Sequence, residues 1–101
     1  GAYIPTGSRI GDRVFLGPNA SLTNDKTPLR TEYRLEGVAL EDDVTVGSNA
    51  TLMPGINIGE GAFIAGGAVV TKDVPAWHMA KGSPATFEEL PESLKKPNRL
   101  G

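Results

Sequence analysis

Aliphatic residues recur at a strict interval of six along this chain: Ile4, Ile10, Leu16, Leu22, Leu40, Val46, Leu52, Ile58, Ile64 and Val70. The series breaks once, from Thr23 to Ala39, and the phase survives that gap of 17 residues because 22 to 40 is three sixes. A strand alternates with period 2 and an α-helix with period 3.6, so neither alone yields a six. A hexapeptide period describes a chain that coils, laying down one wall of a prism per repeat.

The other positions of the repeat agree. Glycine follows the aliphatic at Gly11, Gly17, Gly47 and Gly59. Four residues after the aliphatic stand Ser8, Val14, Ala20, Val44, Ala50, Ile56, Ala62, Ala68 and Val74, all small or β-branched. Between these lie Gly7, Asp12, Asn19, Asp43, Asn49, Gly55, Gly61 and Gly67, the residue types that accept the backbone angles of a tight corner. The pattern predicts an all-β triangular prism, with aliphatics pointing into a narrow core and three hexapeptides to a coil. The break from 23 to 39 predicts a loop that replaces part of a coil. Coils are expected over 1–75, an exit segment and tail over 76–101, and further coils before Gly1, because the chain opens inside the repeat.

Bulk composition excludes several classes. A chain of 101 residues is one domain at most. It has no cysteine, so no disulfide framework or thiolate metal site. A formal net charge of −2, with Lys and Arg scattered, argues against a nucleic-acid surface. No apolar run approaches the roughly 20 residues of a membrane span, and a cytoplasmic protein is expected. No metal is expected either. A short solenoid with open ends is marginal alone, so packing a flat face on neighbouring chains would help it.

The repeat and the stretch GGAVVTKDVPAWHMAKGSPA together resemble the hexapeptide-repeat acyltransferases that use acetyl-CoA. The resemblance runs from about Ile4 to Ala85. It implies a left-handed parallel β-helix; periodicity alone would not give that hand, since parallel crossovers are otherwise right-handed. It also implies a homotrimer with sites between subunits. The tail beyond Phe87 is expected to form a short helix from Glu88 to Lys96, with Pro91 near its first turn and Leu90 and Leu94 on one face.

Within the gap, Asn24-Asp25 with Pro28 and Arg30 close by resembles the loop of nucleotide-linked amino-sugar N-acetyltransferases. The match departs in having Leu29 between Pro28 and Arg30. The resemblance implies that Asn24, Asp25 and Arg30 contact the acceptor, with Asp25 and Asn24 as the catalytic candidates. Arg30 and Arg34 are suited to a diphosphate.

Moving acetyl from a thioester to an amine needs a neutral amine, a positioned carbonyl and a stabilised oxyanion. Ala65, Gly66 and Gly67 are the candidates for backbone N–H groups that meet the cofactor, because a bulky side chain would block close approach. Lys72 and Lys81 suit a cofactor phosphate, and Pro84 fixes the turn beside them. His78 is the only histidine, and it lies outside the coils in a segment with Trp77 and Met79. One histidine cannot hold the zinc of a γ-class carbonic anhydrase. Nor is there a coil histidine to activate a hydroxyl. Transfer to an amine is therefore preferred. O-acetylation on the same fold, the β-helix tail of a sugar-nucleotide pyrophosphorylase and a non-enzymatic scaffold are the alternatives.

Overall fold

A computed structural model describes residues 1–24 and 36–99. Among the described residues, nine strands of two residues each build the prism: β1 Arg9–Ile10, β2 Phe15–Leu16, β3 Ser21–Leu22, β4 Ala39–Leu40, β5 Thr45–Val46, β6 Thr51–Leu52, β7 Asn57–Ile58, β8 Phe63–Ile64 and β9 Val69–Val70. Two longer strands follow, β10 His78–Gly82 and β11 Ala85–Glu89. Three parallel sheets form the walls, with β1-β4-β7 as face 1, β2-β5-β8 as face 2 and β3-β6-β9 as face 3. The register is one coil per 18 residues where no loop intervenes, as in Leu40 beside Ile58 and Leu52 beside Val70.

The second residue of each strand points inward. Leu22, Leu40, Val46, Leu52, Ile58, Ile64 and Val70 are buried, and Ala20, Val44, Ala50, Ile56, Ala62, Ala68 and Val74 fill the wall beside them. The first two members of the series depart from this: Ile4 is 49% exposed and Ile10 41%. They belong to the lowest turns, which have a coil above them and, among the described residues, none below.

The corners force the chain through the left-handed backbone region. Faces 1 and 2 meet at Arg13, Asp43, Gly61 and Trp77, faces 2 and 3 at Asn19, Asn49 and Gly67, and faces 3 and 1 at Gly7 and Gly55, all with positive φ. We call these corners A, B and C. Arg13 and Trp77 are bulky residues in that region, which the glycine and asparagine pattern did not foresee. Each is held by tertiary contacts: Arg13 by Asp43, and Trp77 by its ring lying over Gly61.

Two expectations are corrected. The loop is narrower than 23–39: Thr23 still pairs with Leu52, Ala39 is already in β4, and Glu36 N donates to Asn24 O at 3.0 Å to close the neck. The tail is not a helix from Glu88 to Lys96. Ala85–Glu89 pairs antiparallel with β10, and among the described residues only one 3₁₀ turn follows, Glu92–Leu94. A nine-residue helix is marginal alone, whereas the open edge of β10 offers a full ladder of partners. β10 itself continues face 2 above β8, with Ala80 beside Ile64. Ala85 and Phe87 of the hairpin pack on the core, which supplies the cap a solenoid end requires. No helix among the described residues is long and apolar enough to cross a membrane.

Candidate functional site

Corner B is built from Gly17-Pro18-Asn19-Ala20, Gly47-Ser48-Asn49-Ala50 and Ala65-Gly66-Gly67-Ala68, stacked in successive coils. One rung of hydrogen bonds ties the stack, Asn49 N to Pro18 O at 3.0 Å and Gly67 N to Ser48 O at 2.9 Å. The residue before each of these donors is left over. Among the described residues the N–H groups of Ser48 and Gly66 have no acceptor, and both residues are exposed. Adjacent strands lie about 4.8 Å apart, so the corner presents two free donors one coil apart.

The glycines explain how the backbone gets so close. A Cβ on Gly47 would stand 2.5 Å from Gly66 N, and one on Gly17 would stand 2.7 Å from Ser48 N. Above the corner, a Cβ at Gly67 would meet nothing within 4 Å. The corner is therefore open to a ligand that needs backbone donors and no side-chain bulk.

Of the three backbone candidates, only Gly66 has a free N–H. Ala65 N donates to Ala80 O at 2.9 Å, and Gly67 N is used within the stack. Ser48 was missed at the sequence level, although it stands one 18-residue coil before Gly66 in the repeat. The β10–β11 hairpin reaches the same corner: Ala80 pairs with Ile64, which sets Lys81 beside Ala65, and the Ser83–Pro84 turn follows directly. Lys81 Nζ lies 2.9 Å from Glu88 Oε1, with both side chains about half exposed. Ala65, Gly66, Gly67, Lys81 and Pro84 thus gather at one place.

Lys72 does not join them. It lies beyond β9 at corner C, exposed and next to Asp73, whose Oδ1 accepts from Asn57 N at 2.8 Å. Corner C is also where the loop leaves the prism. Asn24 Nδ2 donates to Thr6 O at 3.0 Å, Asn24 O accepts from Glu36 N, and Glu36 O accepts from Gly55 N at 3.0 Å. One limb of the neck is tied to the coil below and the other to the coil above. Asp25, Arg30 and Arg34 lie outside the described residues. Within one chain, Asn24 and the corner B candidates stand at opposite edges of face 3.

Corner A carries the strongest electrostatics. Arg13 donates twice to Asp43, Nε to Oδ1 at 2.7 Å and Nη2 to Oδ2 at 3.0 Å. The hydrogen bonds from Arg13 hold the buried Asp43 carboxyl below its ordinary range, and Asp43 raises the Arg13 guanidinium in turn. Asn98 of the tail closes the cluster, with its N donating to Asp43 Oδ1 at 3.0 Å and its Nδ2 to Arg13 O at 2.8 Å. Nothing in the repeat announces Asn98. In the tail, Lys95 bonds Glu89 and Glu92; the Lys95 ammonium lowers the Glu89 carboxyl and is itself raised. His78 follows Trp77 on the corner A side of face 2, with Nδ1 2.8 Å from Ala76 O, away from both corners B and C.

Comparisons with known proteins agree with this architecture. Residues 37–72 match the family model described as bacterial transferase hexapeptide (six repeats). A Staphylococcus aureus 2,3,4,5-tetrahydropyridine-2,6-dicarboxylate N-acetyltransferase is 35% identical over 99 residues, covering 87% of this chain and 40% of that protein. A Bacillus subtilis protein provisionally named an acetyltransferase is 35% identical over 97 residues, covering 92% of this chain and 56% of that one. Among solved structures, a maltose O-acetyltransferase from Clostridium difficile superposes with a TM-score of 0.74 at 33% identity, covering 84% of this chain and 49% of that one. A galactoside acetyltransferase in complex with coenzyme A gives 0.74 at 28% identity, covering 93% and 52%. The fold they share with this chain is the left-handed parallel β-helix. The chain spans 40% to 56% of the length of its curated relatives.

Proposed function

We propose that this chain, a member of the bacterial hexapeptide-repeat transferases, moves an acetyl group from acetyl-CoA to the amino group of a sugar, with a nucleotide-linked amino sugar as the acceptor. The observation that carries the reading is the pair of unengaged N–H groups at Ser48 and Gly66, beside the hairpin turn that brings Lys81 and Pro84 to the same corner. Those donors suit the amides of pantetheine or a developing oxyanion. Lys81 suits the cofactor's phosphates, and Lys72, at corner C, would reach them only from a neighbouring copy. Acetyl-CoA supplies the activated thioester carbonyl.

Acceptor binding falls to corner C. Asn24 Nδ2 is anchored on Thr6, which leaves Oδ1 to accept from an incoming amine, and Asp25 follows as base or orienting carboxylate. Arg30 would meet the acceptor's phosphates. Because corners B and C stand at opposite edges of face 3, one chain does not close the site. A homotrimer that sets corner C of one copy against corner B of the next would, and it is the assembly we propose. The N-acetyltransferase among the relatives supports nitrogen as the acceptor atom. So does the distance in the fold between His78, the single histidine, and either corner. A cytoplasmic enzyme is the corresponding reading.

The test begins with thermal melts across an acetyl-CoA titration, in which the melting temperature is expected to rise with ligand. Thiol release is then followed against a panel of nucleotide-linked amino sugars, with the corresponding hydroxyl sugars as controls. Transfer to the amines alone is the expected result. No melting shift at millimolar acetyl-CoA and no thiol release would overturn the reading, and release with hydroxyl sugars only would move it to O-acetylation. Sedimentation equilibrium checks the trimer.

A further inference from the structure

Beyond Leu90 the tail runs back down the outside of face 2 as a strap fixed at both ends. Leu90 is 4% exposed and its N donates to Trp77 O at 3.0 Å. At the far end Asn98 uses its backbone N–H and both side-chain heteroatoms, bonding Asp43, Arg13, Val44 and Thr45. The middle of the strap is not pressed on the wall: Leu94 is 47% exposed, and a cleft of about 180 Å³ remains beneath. The coil side of that cleft offers Gly61 and Phe63, and the strap side Leu90, Leu94, Lys96 and Arg99.

Charge decides what such a cleft would take. Among the described residues Asp43 is the only carboxylate on its lining, and Arg13 matches that charge with two hydrogen bonds. Lys96 and Arg99 have no carboxylate partner among the described residues. The cleft thus pairs an aromatic and aliphatic floor with two unmatched cations. A cavity of about 150 Å³ holds a benzene ring, so the space admits one ring. An Arg or Lys at the rim can pair with a carboxylate or sit over the ring face.

We propose that the cleft beneath the strap binds a small organic anion carrying one flat apolar ring. The site lies at the corner A edge of face 2, across that wall from the corner B donors, and it does not depend on the acetyl-transfer reading.

The probe is salicylate, titrated into the isotope-labelled full chain without acetyl-CoA and followed by amide chemical shifts. Saturable shifts at Gly61, Phe63 and Asn98, fitting one site per chain, are expected. Benzamide, a neutral ring of similar size, should bind more weakly. The K96Q/R99Q double variant changes only exposed side chains and should keep the wild-type melting temperature while binding salicylate about fivefold more weakly or worse. Asn98→Ala, which releases the strap, should lose binding. Shifts that stay linear to millimolar probe, that centre on Ser48 and Gly66, or that persist unchanged in K96Q/R99Q would overturn the site.

Discussion

Arg13 and Asp43 are 30 residues apart in sequence and one coil apart in space, joined by paired bonds of 2.7 and 3.0 Å. Both hold positive φ, 53° and 61°. The pair therefore fixes two strained corners at once, and Asn98 adds the tail to the same carboxylate. One side chain links the first coil, the second coil and the strap.

Asp43→Asn is expected to lower the melting temperature and to speed amide exchange at Asn98. The pH dependence follows from the sign of the shift. The fold holds the Asp43 carboxyl below its unfolded value, so its stabilisation is complete above the ordinary aspartate pKa of about 3.9. It is lost as pH falls through the lower folded value. The raised Arg13 value lies above any working pH and adds no slope. Thermal melts of wild type and variant should differ most at neutral pH and converge in strong acid; a gap that is constant with pH would deny the carboxylate this role.

Gly61 is the second left-handed corner with a clear partner. Its φ is +69° and the Trp77 ring occupies the place where a Cβ would stand. Gly61→Ala should cost about 3 kcal/mol, combining left-handed strain with a displaced indole. In a Trp77→Ala background the same change should cost only the backbone share, about 1 kcal/mol. Denaturant unfolding of the four chains measures the coupling, and additive costs would mean that the ring is not what excludes the Cβ.

The prism was legible because its physics is local and repeated. Each inward aliphatic and each glycine beside a corner makes the same statement, so the buried series from Leu22 to Val70 could be read without a structure. The backbone donors at Gly66 followed from the same logic, and Ser48 was available from it, one coil earlier. The tail was not legible, because Ala85 to Glu89 has no periodic signal. Its pairing is decided by the free edge of β10, a tertiary fact. Asn98 is hidden for the same reason, since its partners Arg13 and Val44 are 85 and 54 residues away. Lys72 and Lys81 are close in sequence, but the coil puts them at different corners.

Asn24 is tied to Thr6, so its removal should be felt in the loop before it is felt in the core. Asn24→Ala is expected to lower the melting temperature by only the loss of one partly exposed hydrogen bond, about 1 kcal/mol. Under the acetyl-transfer reading it should lower turnover more than that loss of stability accounts for, with acetyl-CoA affinity unchanged. Asn24→Asp keeps Oδ1 but loses the donor to Thr6, and should recover part of the activity if Oδ1 meets the amine. Steady-state kinetics beside thermal melts separates the two roles, and wild-type turnover in Asn24→Ala would remove the residue from the acceptor site.

Ser48 offers the cleanest test of corner B, because the chain already contains the control. Gly47-Ser48-Asn49-Ala50 and Gly17-Pro18-Asn19-Ala20 occupy the same corner in successive coils, and Asn49 and Asn19 share a φ of 62°. Pro18 therefore shows that proline accepts the backbone angles of this corner in the lowest coil. Ser48→Pro deletes one free N–H, and thermal melts check that the ring is accommodated over Gly17. Losing one hydrogen bond of about 1 kcal/mol should weaken acetyl-CoA binding by fivefold to tenfold. Ser48→Ala, which keeps the N–H and removes the hydroxyl, should bind as wild type does. If both variants bind alike, the backbone donor at position 48 takes no part in holding the cofactor, and Gly66 alone would have to carry the corner.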